Sequence, residues 1–142
     1  MQNCSMSFKL YKGKVKTEWF PVTTSTALSR HTLVEFTSGL IAAADADETA
    51  GGVRGVLNKT IASTDADYAV SRKVPVLVPV ERHCVWEADG TGTFVATDIG
   101  VEYGISDSAT VDKAETSTVH FLMTEFLSAS KIRGYLKVNG SY

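Results

Sequence analysis

Residues 73–97, KVPVLVPVERHCVWEADGTGTFVAT, restrict the fold of this chain more than any other stretch. Large apolar residues alternate with small or polar ones through Val74, Val76, Val78, Val80 and Val85. A period of two is the signature of a strand with unlike faces. Pro75 and Pro79 stand four apart inside the run. Proline has no N–H to give to a ladder, so both nitrogens must point away from a partner strand. The run therefore predicts an edge strand, or a strand interrupted by bulges. It continues to Trp86, breaks at the turn-forming Asp89-Gly90-Thr91-Gly92, and resumes at Phe94.

The rest of the chain repeats this grammar. Valine and threonine number 16 each among 142 residues, and β-branched side chains favour strands. Strand patterns fall at 31–36, 39–41, 53–57, 101–105, 118–127 and 131–138, with turn signals every 8–12 residues. Gly55 within its strand predicts a bulge or a close backbone approach. Val119–Met123 is apolar at nearly every position, which fits a strand buried on both faces and leaves a helix open. No internal repeat is visible. The expected fold is all-β: a small β-barrel or sandwich, residues 23–142, preceded by an extended N-terminal arm, residues 1–22.

Within residues 1–22, the segment 7–16 reads as a short strand or an extended arm, with Gly13 as a flexible point, and the charge layout marks this segment. Residues 1–17 hold Lys9, Lys12, Lys14 and Lys16 and no acid, while the remainder holds ten basic and sixteen acidic residues. A basic segment on an acidic body suits contact with another surface. Trp19-Phe20-Pro21 follows directly and reads as an apolar anchor on a neighbouring surface, of the same domain or of another subunit. Lys9, Lys12, Lys14, Lys16, Trp19, Phe20 and Pro21 are thus the candidate partner-binding residues. An acidic body disfavours nucleic acid as the partner. No stretch approaches the roughly 20 apolar residues that span a bilayer.

Signs of catalysis or of metal and cofactor binding are weak. His31, His83 and His120 all lie in strand-like segments, and adjacent His83 and Cys84 would point to opposite faces. A Cys–His pair would need Cys84 with His31 or His120. Cys4 and Cys84 are the only cysteines, too few and too distant for a zinc site. Asp45, Asp47, Glu48 and Gly51 miss the EF-hand spacing. Asp65 and Asp67 form a second acidic pair, read as a solvated turn. Gly51-Gly52-Val53-Arg54-Gly55 lacks a phosphate-loop pattern. No catalytic residue, metal or cofactor is expected.

Five segments occur in a suggestive order: Gly52-Val53-Arg54-Gly55-Val56-Leu57, Val74-Pro75-Val76, Asp98-Ile99-Gly100, the turn 106–112 and Lys131-Ile132-Arg133-Gly134-Tyr135. Over residues 30–140 this order resembles the head decoration (capsid cement) proteins of tailed bacteriophages. The resemblance implies a non-enzymatic β-module, made in the host cytoplasm and docked on the outer surface of the capsid. It implies the major capsid protein as partner, with neighbouring copies of the chain itself, for instance in a trimer. Two other readings stand beside it: a small Cys-dependent hydrolase, and another repeated virion component such as a tail-tube subunit.

Overall fold

A computed structural model describes residues 8–44, 53–68, 70, 72–80 and 84–137. The all-β expectation holds. The strands are β1 (Lys9–Lys12), β2 (Val15–Pro21), β3 (Leu33–Thr37), β4 (Leu40–Ala43), β5 (Val53–Leu57) and β6 (Lys73–Pro79). They continue as β7 (Val85–Thr91), β8 (Glu102–Asp107), β9 (Thr110–Asp112), β10 (Phe121–Ser128) and β11 (Lys131–Leu136). One 3-10 turn, Ala96–Asp98, is the only helical element among the described residues. None of these residues forms a helix long and apolar enough to cross a membrane.

Two sheets form. One has the order β1-β7-β11-β10-β8-β9 and closes into a five-stranded barrel through parallel pairing of β7 with β9. The other has the order β2-β6-β5-β3-β4. Its ends are drawn together by a single parallel bridge, Val22 to Ile41. One apolar core serves both sheets: Leu33, Val56, Leu57, Val74 and Val76 from the second, and Trp86, Ile105, Met123 and Ile132 from the barrel.

The two sheets are the same motif built twice. Replacing β2, β3, β4, β5 and β6 by β7, β8, β9, β10 and β11 turns the order 2-6-5-3-4 into 7-11-10-8-9. The closing contact is parallel and joins the same two members in each half. Both β3–β4 and β8–β9 are hairpins with two residues between their last partners, Ser38-Gly39 and Ser108-Ala109. The first four strands of each half start 70, 69, 70 and 68 residues apart, at Val15 and Val85, Leu33 and Glu102, Leu40 and Thr110, Val53 and Phe121. Only the last link differs. Residues 58–72 join β5 to β6, whereas Ala129 and Ser130 join β10 to β11. A repeat absent from the sequence pattern is therefore present in the topology.

The extended N-terminal arm is not confirmed. From Lys9 onward the segment is sheet: β1 lies on β7, and β2 lies along the whole of β6. Phe8 is fully buried, donates its N–H to the His31 carbonyl at 2.9 Å, and meets the Phe121 ring edge-on at 6.2 Å. Residues 1–7, including Cys4, lie outside the described residues. The antiparallel pairs β1–β7 and β2–β6 pass from one sheet to the other near Gly13 and Cys84. Gly13 has φ +112°, and a Cβ there would lie 2.7 Å from the Cys84 Cα. Only glycine fits that crossing.

The proline-bearing strand is a second correction. β6 is interior, between β2 and β5, and its register with β2 has no bulge. The Val80 N–H reaches the Lys14 carbonyl and the Val22 N–H the Arg72 carbonyl, both at 2.9 Å, so even-numbered residues of β6 face β2. Pro75 and Pro79 therefore face β5. There the registered pairs are Val56 with Leu77 and Leu57 with Val76. Asn58 uses only the Pro75 carbonyl, at 3.0 Å. The two prolines flank Leu77, so the missing donors cost no registered pair. The close approach expected at Gly55 is present, since a Cβ there would strike the Leu77 carbonyl and the Val76 side chain.

Two further boundaries moved. β7 runs through Asp89 and Gly90 to Thr91 instead of turning at Asp89. Phe94 is a buried plug rather than a strand residue; an added methyl at Gly90 would overlap its ring. The apolar run near residue 120 is strand β10, with Phe121 and Met123 buried, Leu122 half-buried, and Glu125–Ser128 exposed.

Candidate interaction surface

Strand β2 begins where the crossing at Gly13 ends, and its sequence VKTEWFP has no continuous apolar face. β6 covers one of its edges; among the described residues no strand covers the other along Val15–Pro21. The parity set by Lys14 and Val22 turns the N–H and C=O groups of Lys16, Glu18 and Phe20 toward β6. Those of Val15, Thr17 and Trp19 point outward. An open edge of this kind is a template for another strand.

The structure separates the two expected anchor aromatics. Trp19 is 58% exposed, the most exposed of the described aromatics together with Tyr11 at 54%. Phe20 is half-buried within its own sheet. It meets Phe36 edge-on at 4.9 Å, and the Arg54 guanidinium lies 5.5 Å from its centroid. Pro21 ends the strand opposite Lys73. Beside the aromatics, Glu18 takes an ion pair from Arg54 and another from Lys16 at 3.0 Å. Burial opposes ionisation of Glu18, but Lys16 and Arg54 outweigh it and hold the carboxyl below its ordinary range.

The lysines do not form one arm. Lys9 and Lys12 stand on β1 opposite Glu87 and Val85. On that strand Leu10 packs against the core and Tyr11 carries the Arg133 guanidinium at 3.6 Å. Lys14 sits at the crossing, where its carbonyl also accepts from the Cys84 thiol at 3.0 Å. Lys16 belongs to β2. The sequence candidates on β2 thus share a strand but not one face: Lys16, paired with Glu18, lies on the side of Phe20, and Trp19 lies on the other. Strand alternation alone could have found this division, because it puts Trp19 and Phe20 on opposite faces.

Elsewhere, chemistry is sparse. Cys84 is buried. His120 is fully buried, and its backbone N–H donates to the Tyr103 carbonyl at 2.9 Å. His31 holds φ +71° in the turn before β3. Its imidazole is pushed below the ordinary value by burial, then by Arg30 and Lys9. Asp65 and Asp67 both pair with Arg72, at 3.3 and 3.0 Å, which ties their loop to the start of β6. Among the described residues no cluster of histidine, cysteine, aspartate or glutamate could hold a metal ion. His83, Asp45, Asp47, Glu48, Gly51 and Gly52 lie outside the described residues. No protein-family model matches the chain, and no curated protein matches it.

Proposed function

We propose that the chain is a structural virion protein that binds the outer surface of a bacteriophage capsid and stabilises it, without catalysis. The order of segments described above supplies the family resemblance. The observation that carries the reading is Trp19, 58% exposed on a strand edge that no other strand covers among the described residues. A large exposed aromatic on a sheet-braced strand is a suitable interface anchor, because little backbone order is lost on binding. The major capsid protein is the intended partner, and a shell exterior bearing carboxylates would suit the lysines. The chain would be made in the host cytoplasm and act on the assembled particle.

Co-sedimentation with phage shells that lack the protein tests this. Binding to intact shells, with a Trp19→Ala variant that dissociates faster, supports it. Burial of one large aromatic contributes about 2–3 kcal/mol, against roughly 0–1 kcal/mol for each exposed ion pair. Added salt should therefore slow association while leaving dissociation nearly unchanged. A protein that stays in the supernatant with every shell offered overturns the reading.

A further inference from the structure

We propose that the outer edge of β2 pairs antiparallel with the same edge of a second copy, centred on Thr17, to give a two-fold symmetric dimer with a sheet continuous across it. Two independent observations lead there, and neither rests on the capsid reading.

The first is the internal repeat. β2 is the counterpart of β7, and residues 85, 86 and 87 correspond to Val15, Lys16 and Thr17 by the 70-residue offset. That part of β7 already holds an antiparallel strand on its outer side, because β1 docks there with Lys9 opposite Glu87. The parity agrees as well. The Gly90 N–H reaches the Ser130 carbonyl at 2.8 Å, so even residues of β7 face β11 and odd ones face outward. In β2 the odd residues likewise face outward. The position that β1 fills in one half is open in the other, among the described residues.

The second is the sequence of the edge itself. Val15-Lys16-Thr17-Glu18-Trp19 is self-complementary when reversed about its centre. Valine meets tryptophan, lysine meets glutamate, and threonine meets threonine. Aromatic–β-branched, opposite-charge and Thr–Thr pairs are the favourable cross-strand combinations. An isologous interface requires this property, since each residue must suit the one that it meets on the partner. The outward residues Val15, Thr17 and Trp19 would exchange main-chain hydrogen bonds with Trp19, Thr17 and Val15 of the second copy. The next outward pair would be Gly13 with Pro21, where proline has no donor and the ladder ends. In that pairing Trp19 would lie beside Val15 of the second copy.

The test needs no shell, so its failure is distinct from failure of the capsid reading. Sedimentation equilibrium of the wild-type chain should give a mass that rises with concentration and stops at twice the monomer. Thr17→Pro removes one outward donor from each copy without touching a bond to β6, so it keeps the fold. It should weaken dimerisation about tenfold to a hundredfold. In a Cys4→Ser background, Thr17→Cys should form a disulfide with itself on mild oxidation, because paired Cα atoms lie about 5.5 Å apart. Trp19→Cys should not, since its partner position is Val15. A chain that stays monomeric up to about 1 mM, a trimer, or a Thr17→Pro protein that dimerises at the wild-type affinity overturns the proposal.

Discussion

Replacing Gly13 by alanine should destabilise the protein far more than any other single-methyl addition at a surface glycine. Gly13 lies where the chain crosses between the two halves, at φ +112°. An L-residue there pays about 1–2 kcal/mol in backbone sterics alone. The added Cβ would also lie 2.7 Å from the Cys84 Cα and 2.9 Å from its sulfur. The first of these is backbone that cannot swing away, so the crossing strands must separate. Overpacking of that kind costs typically about 1–3 kcal/mol. The combined loss is about 3 kcal/mol, or roughly 10 °C in Tm for a domain of this size. Gly39→Ala is the control. That residue has φ +81° in the β3–β4 turn and nothing within 4 Å of an added Cβ. It should lose only the backbone cost, about 1–2 kcal/mol. Thermal unfolding followed by circular dichroism compares the two. Equal shifts would refute the argument that steric closure of the crossing, rather than backbone conformation alone, demands glycine at position 13.

Gly90→Ala should drive the Phe94 ring out of its place in the barrel and cost about 1–3 kcal/mol; truncating the ring as well, in a Gly90→Ala, Phe94→Ala double mutant, should show strong non-additivity in denaturant titrations. His31 predicts a pH dependence. Its folded-state value is held below the ordinary one by burial and by the Arg30 and Lys9 charges, so protons bind the unfolded chain more tightly. Its contribution is therefore fully present above the unfolded value near 6.5 and is lost as pH falls through that value toward the folded one. His31→Asn tolerates the same left-handed backbone and does not titrate, so its stability should change less between pH 7.5 and pH 5.5 than that of wild type. Trp19→Ala should leave the unfolding free energy of the monomer within about 0.5 kcal/mol, because the side chain is mostly in solvent; a larger loss would mean that Trp19 belongs to the core.

Local pattern was enough for much of this protein. The alternation of Ile132, Gly134 and Leu136 against Arg133 and Tyr135 put β11 in place and named its buried face correctly. Gly55 announced a close approach, and β-branched composition announced an all-β chain. These signals were legible because each depends on one strand and its own two faces. Which strand lies beside which is a different matter, settled by contacts between residues far apart in sequence. Pro75 and Pro79 forbid two donors on one side of their strand, and the sequence could not say that this side would face the short pairing with β5. Lys9 through Lys16 read equally as a short strand or an extended arm until β7 and β6 are present to receive them. Tertiary pairing also decided the repeat. Two segments about 70 residues apart reach the same strand order through different side chains, because topology follows from strand lengths, hairpin turns and burial, which many sequences satisfy. The outer edge of β2 is the plainest case: every residue of it is readable in the chain, but its lack of a neighbour among the described residues exists only once the other strands have chosen theirs.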